Sequence, residues 1–367
     1  MTTSIYSFWN FSGRIIYKEF CIIQIKMTIT IDDDELRAEG ISVRDLMFYV
    51  TLECNLRCKS CYVGNDWLNG YGGFGREEGL AIIDHFGSQG LDRLTFLGGE
   101  PTLHPDISDF VLKGAEFDIK ERRMTTNGRG LGFFDIDAVP TSALHHISVS
   151  LDGHTPETND SVRGTGTFEK VIPTLELLNA RGFNAYVNYT VNGLNIDSVE
   201  DAVRYFRELG VEEINFHLVS ITGNANHHPE LYVAPERWIE TRERLLSLED
   251  VQGVRLRVPF MYLTLDEHEA AQGEGYVPFQ SRSYHSDDGQ RILLFPNGKV
   301  FMSADLVGTD FHIATYEDGK FTFNKGQNEW HFHKSNPLLA DPSSQLLGTG
   351  SEGFVPVSIS YKQTIQY

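Results

Sequence analysis

Short apolar runs alternate with longer helix-like stretches from about Leu46 onward. Six of the runs are rich in β-branched and aromatic residues, as strands buried on both faces are: "LMFYVTL" (46–52), "LTFLGG" (94–99), "RRMTTN" (122–127), "HHISVSLD" (145–152), "NAYVNYTV" (184–191) and "EEINFHLVS" (212–220). Between them, stretches such as "TFEKVIPTLELLNARG" carry apolar residues every three or four positions and end at Gly, which predicts amphipathic helices. Six successive β/α units predict an α/β fold with a parallel sheet, a partial (β/α)6 TIM-like barrel.

We place the barrel at residues 45–225. Other segments are expected before and after it. Residues 1–44 are expected to form an N-terminal arm; the first 26 of them precede a second methionine, Met27, and are either structureless or a misassigned start. The run "ILLFPNGKVFMS" predicts a β-hairpin that turns at Pro296, Asn297 and Gly298, within a smaller C-terminal extension over residues 226–335. Residues 336–367 are rich in Ser and Gly and are expected to form a tail.

Charge and hydropathy narrow the range of partners. The 51 acidic residues outnumber the 31 Lys and Arg residues, giving a formal net charge of −20, which opposes binding to a phosphate backbone. No apolar run reaches the roughly 18 residues that a membrane span needs, and charged residues such as Arg14 and Lys18 interrupt the first segment, unlike a signal peptide. We therefore expect a cytoplasmic protein with no nucleic-acid or membrane partner.

Three of the four cysteines stand together after the first predicted strand. Cys54, Cys58 and Cys61 form a C-x3-C-x2-C pattern in "ECNLRCKSCYVG", whereas Cys21 lies far from them in sequence. Structural zinc usually takes four ligands, often as two pairs, and four-iron clusters usually take four thiolates. Three thiolates would leave one iron open to a substrate or cofactor. The alternative of three unliganded buried thiols is opposed by the charged residues between them.

Polar and glycine-rich motifs follow the next strands. In parallel α/β sheets, ligands gather at the carboxyl ends of the strands. "GGEP" (98–101) stands at the second strand end, "TTNG" (125–128) at the third and "SVSLDG" (148–153) at the fourth. Paired glycines permit a close approach of the backbone, and the adjoining carboxylate can accept hydrogen bonds from an amine.

With the three-cysteine loop, these motifs resemble the radical S-adenosylmethionine (SAM) enzymes in order and spacing, over roughly residues 45–225. The resemblance implies that Cys54, Cys58 and Cys61 hold one [4Fe-4S] cluster and that SAM chelates the open iron. It further implies reductive cleavage of SAM to a 5′-deoxyadenosyl radical, which abstracts hydrogen from a small-molecule or natural-product substrate. An electron donor such as flavodoxin or ferredoxin is the expected protein partner.

The resemblance also assigns roles to residues at the strand ends. The edge that meets the SAM amino group comprises Gly98, Gly99, Glu100 and Pro101. The same pocket is lined by Thr126 and Asn127. The ribose hydroxyls are contacted by Ser150 and Asp152, and the SAM carboxylate is paired by Arg163. Asn188 and His217, on the fifth and sixth strands, are expected either to face the barrel interior or to be satisfied polar residues of the core.

The C-terminal extension resembles the SPASM or twitch type, but it contains no cysteine, so we expect no auxiliary clusters of the usual kind. Two alternatives to small-molecule chemistry remain. One is a radical SAM maturase of a ribosomal peptide, which the extension's likeness favours. The other is a non-catalytic iron–sulfur or zinc protein, for which the shared placement of the other motifs would have no purpose.

Overall fold

The chain forms two compact units, Met1–Thr30 and Ile31–Tyr367. The computed structural model describes residues 3–9, 15–21, 29–249, 251–259, 261–264, 266, 290–330, 347–349, 352–356 and 364–365. In the first unit, β1 (Thr3–Trp9) and β2 (Ile15–Cys21) form an antiparallel hairpin. The sequence-based expectation for this segment contains no strands. The first unit ends at Thr30, so residues 31–44 group with the unit that contains the barrel.

A parallel sheet is the centre of the second unit. Seven strands run parallel in chain order within the described ranges: β3 (Asp45–Thr51), β4 (Arg93–Gly98), β5 (Glu121–Thr126), β6 (His146–Ser150), β7 (Ala185–Val191), β8 (Glu213–Leu218) and β9 (Arg255–Arg257). The first six confirm the six predicted strands. The seventh has only three residues, two of them Arg, so it lacks the apolar pattern from which a strand is predicted.

Helices precede and separate these strands along the chain. They are α1 (Asp34–Ala38), α2 (Arg76–Ser88), α3 (Ile107–Gly114), α4 (Pro156–Arg163), α5 (Phe168–Ala180), α6 (Val199–Glu208) and α7 (Pro235–Leu246). In α6 the buried residues Val199, Val203 and Phe206 recur every three or four positions, which places them on one face of the helix. Within the described ranges, no helix has both the length and the apolar character that crossing a membrane requires.

The predicted hairpin at Pro296–Gly298 is confirmed, but it is part of the barrel sheet. Its strands are β11 (Arg291–Leu294) and β12 (Lys299–Phe301), and β11 pairs in parallel with β3. The sheet continues through β13 (Ala314–Glu317) and β14 (Lys320–Phe323), and at its other edge β17 (Thr364–Ile365) joins β9. Because β14 and β17 are the two ends of the strand order, the sheet is open, as a partial barrel is.

Three further strands form a small separate sheet. They are β10 (Tyr262–Thr264), β15 (Leu347–Thr349) and β16 (Glu352–Pro356), in the order β10–β16–β15. Most of the expected tail over residues 336–367, and the middle of the expected extension, lie outside the described residues.

Alternating side chains give the curved sheet two different faces. Phe48 of β3 packs against Phe74 and Phe110, with ring centroids 5.0 and 6.0 Å apart, on the side where α3 lies. The side chains before and after Phe48 point the opposite way, into the interior of the barrel. There Tyr49 stacks on Phe295, with ring centroids 3.9 Å apart. Tyr49 is near the carboxyl end of β3. The barrel interior therefore extends to the start of the three-cysteine loop that follows this strand.

Candidate active site

The three predicted cluster ligands lie on the loop that follows β3. Cys54, Cys58 and Cys61 are half-buried and form no disulfide. The backbone N–H of Cys61 donates to the carbonyl of Cys58 at 3.2 Å, which closes the loop into a tight turn. The backbone N–H of Cys54 donates to Oδ1 of Asn69 at 2.8 Å. These two hydrogen bonds fix the backbone of the loop at Cys54 and at the turn between Cys58 and Cys61.

Asn224, in the segment after β8, fastens the middle of this loop. Its Nδ2 donates to the carbonyl of Cys58 at 2.9 Å and to Oδ1 of Asn65 at 3.1 Å, and its Oδ1 accepts from the N–H of Asn65 at 2.9 Å. Its backbone N–H donates to the carbonyl of Cys61 at 2.9 Å. A Cβ on the preceding Gly223 would lie 2.4 Å from that same carbonyl oxygen. Gly223 therefore permits the segment after β8 to lie close to the cysteine loop, and the hydrogen bonds of Asn224 hold the two segments together.

Gly98 and Gly99 at the end of β4 allow the same kind of approach from the other side. A Cβ on Gly98 would lie 2.5 Å from the carbonyl oxygen of Thr51, and one on Gly99 would lie 2.5 Å from that of Glu53 and 2.8 Å from the Cβ of Cys54. The sequence suggests that the paired glycines make room for a ligand. In the structure Gly98 makes room for the end of β3, and Gly99 makes room for the start of the cysteine loop.

Glu100 is fully buried and joins two strand ends. Its Oε1 accepts hydrogen bonds from the hydroxyls of Thr102 and Thr126, both at 2.7 Å, and its Oε2 accepts from the N–H of Asn127 at 2.6 Å. Burial raises the pKa of this carboxyl group, and the hydrogen bonds oppose that rise. Pro101 begins the short 3-10 turn Pro101–Leu103 that follows. The carboxylate therefore fixes the GGEP and TTNG segments relative to each other.

Asn127 extends this connection to the cysteine loop. Its Nδ2 donates to Oδ1 of Asn55 at 2.8 Å, and the guanidinium of Arg129 donates to the carbonyl of Asn55 at 3.1 Å. Asn55 is the neighbour of Cys54 in the chain. Side chains that follow β5 thus hold the beginning of the loop, whereas Asn224 holds its middle.

Ser150, at the end of β6, and Asp152 and Arg163, beyond it, are all buried. Oδ1 of Asp152 accepts from the N–H of Thr190 at 2.7 Å, and its Oδ2 lies 2.8 Å from Nε of Arg163. Burial disfavours the charge of Arg163, but the carboxylate of Asp152 raises the pKa of the guanidinium above its usual value. The carbonyl of Arg163 lies 3.9 Å from Sγ of Cys58. This ion pair therefore stands directly beside a predicted cluster ligand.

The donor set on the loop fits an iron–sulfur cluster. Burial raises the pKa of the Cys54 thiol to about 11 and that of the Cys58 thiol to about 12, and it also raises the pKa of Cys61. Thiols in this state are protonated at neutral pH, and metal binding would release their protons. Within the described ranges, which include these three cysteines, no group of three or more His, Cys, Asp and Glu side chains is arranged to hold a metal ion. The loop therefore fits a cluster by the type of its donors and not by their spacing in this structure.

Tyr62, the aromatic residue that follows the third cysteine, packs beneath the loop. Its hydroxyl lies 2.6 Å from that of Tyr49, and burial raises its pKa to about 12. The ring belongs to an apolar group that includes Phe295 and Phe301. In this arrangement Tyr62 supports the loop from the barrel interior.

Asn188 and His217, which we expect in the interior or as core polar residues, form a network with Asn215 in the interior. Nδ2 of Asn215 donates to Oδ1 of Asn188 at 2.9 Å, and Nε2 of His217 lies 2.9 Å from both side chains. Burial lowers the pKa of His217 to about 4, so the ring is neutral at physiological pH. Oδ1 of Asn215 is buried without a hydrogen-bond partner in the described structure.

Four residues of the site are absent from the sequence-based prediction: Asn55, Asn69, Arg129 and Asn224. Each holds the cysteine loop through an amide or guanidinium contact. Their only signal in the sequence is that Asn55 lies inside the cysteine pattern and that the others follow a strand or a turn. Asn residues are common in such places for local reasons, so the signal does not separate them from ordinary loop residues.

Known proteins are similar to this chain in sequence. The model of the radical SAM superfamily matches residues 48–206. One curated relative is the AdoMet-dependent heme synthase of Methanosarcina barkeri, 27% identical over 189 residues, which cover 51% of this chain and 54% of that protein. Another is GTP 3',8-cyclase 1 of Mycobacterium tuberculosis, 30% identical over 192 residues, covering 50% of this chain and 53% of that protein. The chain thus spans about half the length of these relatives.

Solved structures share the fold. SuiB of Streptococcus suis, bound to the precursor peptide SuiA, has a TM-score of 0.57 at 14% identity, covering 84% of this chain and 68% of SuiB. The protein anSMEcpe, with bound AdoMet and the Kp18Cys peptide, has a TM-score of 0.59 at 15% identity, covering 86% of this chain and 92% of that one. Residues 48–206, which begin on the strand that leads into the three-cysteine loop, therefore carry a radical SAM domain.

Proposed function

We propose that this protein is a radical SAM enzyme that acts on a small molecule or natural product. The observation that carries the proposal is the loop of three free thiols, which is fastened to the ends of β4, β5 and β8 beside the buried pair of Asp152 and Arg163. When bound, one [4Fe-4S] cluster and SAM would supply a 5′-deoxyadenosyl radical for hydrogen abstraction. The reaction needs an electron from a donor such as flavodoxin or ferredoxin.

The protein's part in this chemistry is to position groups and to exclude water. We propose that Cys54, Cys58 and Cys61 hold the cluster. The residues that would surround SAM are Gly98, Gly99, Glu100, Pro101, Thr126, Asn127, Ser150, Asp152 and Arg163. Among these, Glu100 is engaged by protein donors on both oxygens, so its role would be to fix the backbone that meets the SAM amino group.

The sequence relatives support a small-molecule substrate. The heme synthase and the cyclase are named for small-molecule products, and both are more similar in sequence to this chain than SuiB is. A peptide substrate is the second candidate, since SuiB and anSMEcpe were solved with peptides. A precursor peptide that is modified by the purified enzyme would favour this second candidate.

Anaerobic reconstitution tests the proposal. We expect about four irons per chain, loss of the cluster in Cys58→Ser, and retention in Cys21→Ser, a matched change outside the loop. We also expect SAM to alter the electron paramagnetic resonance spectrum of the dithionite-reduced protein. A cluster that does not respond to SAM would support the non-catalytic alternative, and about eight irons per chain would contradict the absence of auxiliary clusters.

A further inference from the structure

Three uncharged polar side chains meet in the barrel interior on β7 and β8. Nδ2 of Asn215 lies 2.9 Å from Oδ1 of Asn188, and Nε2 of His217 lies 2.9 Å from each of these two atoms. The three atoms therefore form a triangle with equal sides. The hydrogen-bonding capacity of its members decides whether the group is a completed part of the core or a site for a ligand.

A triangle of these atoms cannot satisfy all three of its contacts. Oδ1 of Asn188 can only accept a hydrogen bond, Nδ2 of Asn215 can only donate, and Nε2 of His217 does one or the other according to the tautomer. When Nε2 carries the proton, Nε2 and Nδ2 are two donors that face each other. When Nε2 lacks the proton, Nε2 and Oδ1 are two acceptors that face each other. One contact is therefore mismatched in either tautomer.

The carboxamide oxygen of Asn215 is also unsatisfied. It is buried without a hydrogen-bond partner in the described structure. A buried polar network that is only partly satisfied is less favourable than apolar side chains of the same shape, so the stability of the fold does not explain why these residues are present. Because the unpaired atom is an acceptor, the group that would complete the network is an N–H or O–H donor.

The surroundings favour a donor without charge. Burial lowers the pKa of His217 to about 4, and the burial that disfavours an imidazolium would equally oppose an ammonium group of a ligand. Arg257, the partner of Asn215 on β9, lies 2.8 Å from the carboxylate of Glu213. An anionic group of a ligand would therefore compete with that carboxylate for the guanidinium group.

The register of the sheet connects this network to the predicted SAM site. Ser150, Asn188 and Asn215 are successive partners across β6, β7 and β8. Neighbouring strands lie about 5 Å apart, so Asn215 is about 10 Å from Ser150 across the sheet. A small molecule that meets Asn215 with one end can therefore extend as far as the strand of the predicted ribose contact.

We propose that Asn188, Asn215 and His217 bind an uncharged N–H or O–H group of the substrate, with Oδ1 of Asn215 as the acceptor. The proposal rests on the proposed function, because it names the substrate class of that site, a neutral molecule with a ring N–H or a hydroxyl group. The donor of the substrate gives the carboxamide of Asn215 the partner that the protein does not supply. The rest of the substrate extends along the row toward Ser150.

Stability in the absence of a ligand distinguishes this proposal from a structural role. Asn215→Leu removes the unpaired oxygen and the mismatched contact, and it leaves Nε2 of His217 to donate to Oδ1 of Asn188 alone. We therefore expect the melting temperature of the reconstituted variant to equal or exceed that of the wild-type protein. A network that existed to stabilise the fold would instead lose stability in this variant.

The matched control for stability is Asn195→Leu, since the side chain of Asn195 is buried and paired on both of its polar atoms. Its Nδ2 donates to the carbonyls of Asp152 and Thr190, both at 2.9 Å. Its Oδ1 accepts from the N–H of Asn192 at 2.8 Å. This variant is expected to lower the melting temperature, because it leaves buried groups without partners.

Binding is measured with uracil, which carries ring N–H groups, and with resorcinol, which carries hydroxyl groups. The controls are 1,3-dimethyluracil and 1,3-dimethoxybenzene, which have the same rings without those donors, and benzylamine, which is a cation at neutral pH. The melting temperature of the reconstituted protein is followed against probe concentration, because a ligand of the folded state raises it. The control variant is Asn184→Leu, whose exposed Nδ2 contacts His146.

We expect uracil or resorcinol to stabilise the wild-type protein and Asn184→Leu, with an apparent affinity roughly five- to tenfold weaker in Asn215→Leu. The methylated probes and benzylamine should bind more weakly than the donor probe. Stabilisation by uracil alone identifies an N–H substrate, and stabilisation by resorcinol alone identifies a hydroxyl substrate.

Three results would each overturn the inference: failure of both donor probes, equal binding in Asn215→Leu and the wild type, or a melting temperature of ligand-free Asn215→Leu as low as that of Asn195→Leu. If SAM still alters the electron paramagnetic resonance spectrum of the same preparation, the proposed function stands although the inference fails.

Discussion

Replacing Asn224 by Ala removes the side chain that fastens the cysteine loop to the segment after β8. Three side-chain hydrogen bonds are lost, one with Cys58 and two with Asn65, while the backbone bond to Cys61 remains. The position is 6% exposed, so water does not readily replace these bonds. At about 1 kcal/mol for each net hydrogen bond, the closed loop loses about 3 kcal/mol.

This loss corresponds to a roughly 100-fold increase in the equilibrium constant for loop opening, since about 1.4 kcal/mol is a factor of ten. The assay is the rate at which a chelator removes iron from the reconstituted protein under anaerobic conditions, followed by the loss of visible absorbance. If iron leaves through the open loop, the rate is expected to rise by about the same factor of 100 as the opening equilibrium.

The matched control is Asn192→Ala. Asn192 is also buried, and its side chain makes two hydrogen bonds within the connection that follows β7, one to Thr190 and one to Leu194. It is expected to lower the melting temperature while leaving the rate of iron loss near that of the wild type. Equal rates for wild type and Asn224→Ala would refute the reasoning, and so would equal acceleration in the two variants.

Three other predictions concern the same site. In Gly99→Ala the new Cβ would lie 2.5 Å from the carbonyl oxygen of Glu53, so iron content after reconstitution should fall, whereas Gly75→Ala, with no atom within 4 Å of its Cβ, should keep it. Asp152→Asn leaves the buried Arg163 without its carboxylate, which should lower the free energy of unfolding by about 3–5 kcal/mol. The control is Asp137→Asn, because Asp137 pairs with Arg181 at the surface; a melting temperature of Asp152→Asn no lower than that of this control would contradict the prediction. Burial lowers the pKa of His217 from 6.5 to about 4. As the pH falls, the imidazole is therefore protonated in the unfolded chain before it is protonated in the folded protein. The free energy of unfolding should therefore decrease between about pH 6.5 and pH 4, by at most about 3 kcal/mol from this group. His217→Gln should flatten that slope in urea titrations, and an unchanged slope would show that other groups cause it.

The barrel strands are predictable from sequence because they are buried on both faces. Runs such as residues 94–99 and 184–191 contain no charged residue, and the observed strands β4 and β7 differ from them by one residue at most at either end. The pattern fails for β9, whose strand character comes from its neighbour β8 and not from its own residues. Pairing partners are likewise invisible to periodicity, so the parallel addition of β11 to β3 is unpredicted although the hairpin itself is predicted.

Some residues of the candidate site are likewise predictable from the sequence, and others are not. Cys54, Cys58 and Cys61 are found because a thiol cluster has few structural explanations. Asn224 is not found, because its role depends on where the chain lies 166 residues after Cys58. Gly99 is recognised as a position of close backbone approach from its residue type. The sequence does not show that Glu53 and Cys54 are the neighbours that leave no room for a side chain there.

The pairing of β11 with β3 has a consequence for the synthesis of the protein. Residues 45–48 find their partners at residues 291–294, 246 positions later at the pair of Asp45 and Arg291. Until the ribosome has released that later segment, one edge of the strand that leads into the cysteine loop is unpaired. Such an edge invites pairing with other chains, and contacts of this sequence separation form slowly. The nascent chain therefore depends on its late C-terminal strand to protect the strand from which the cysteine loop extends.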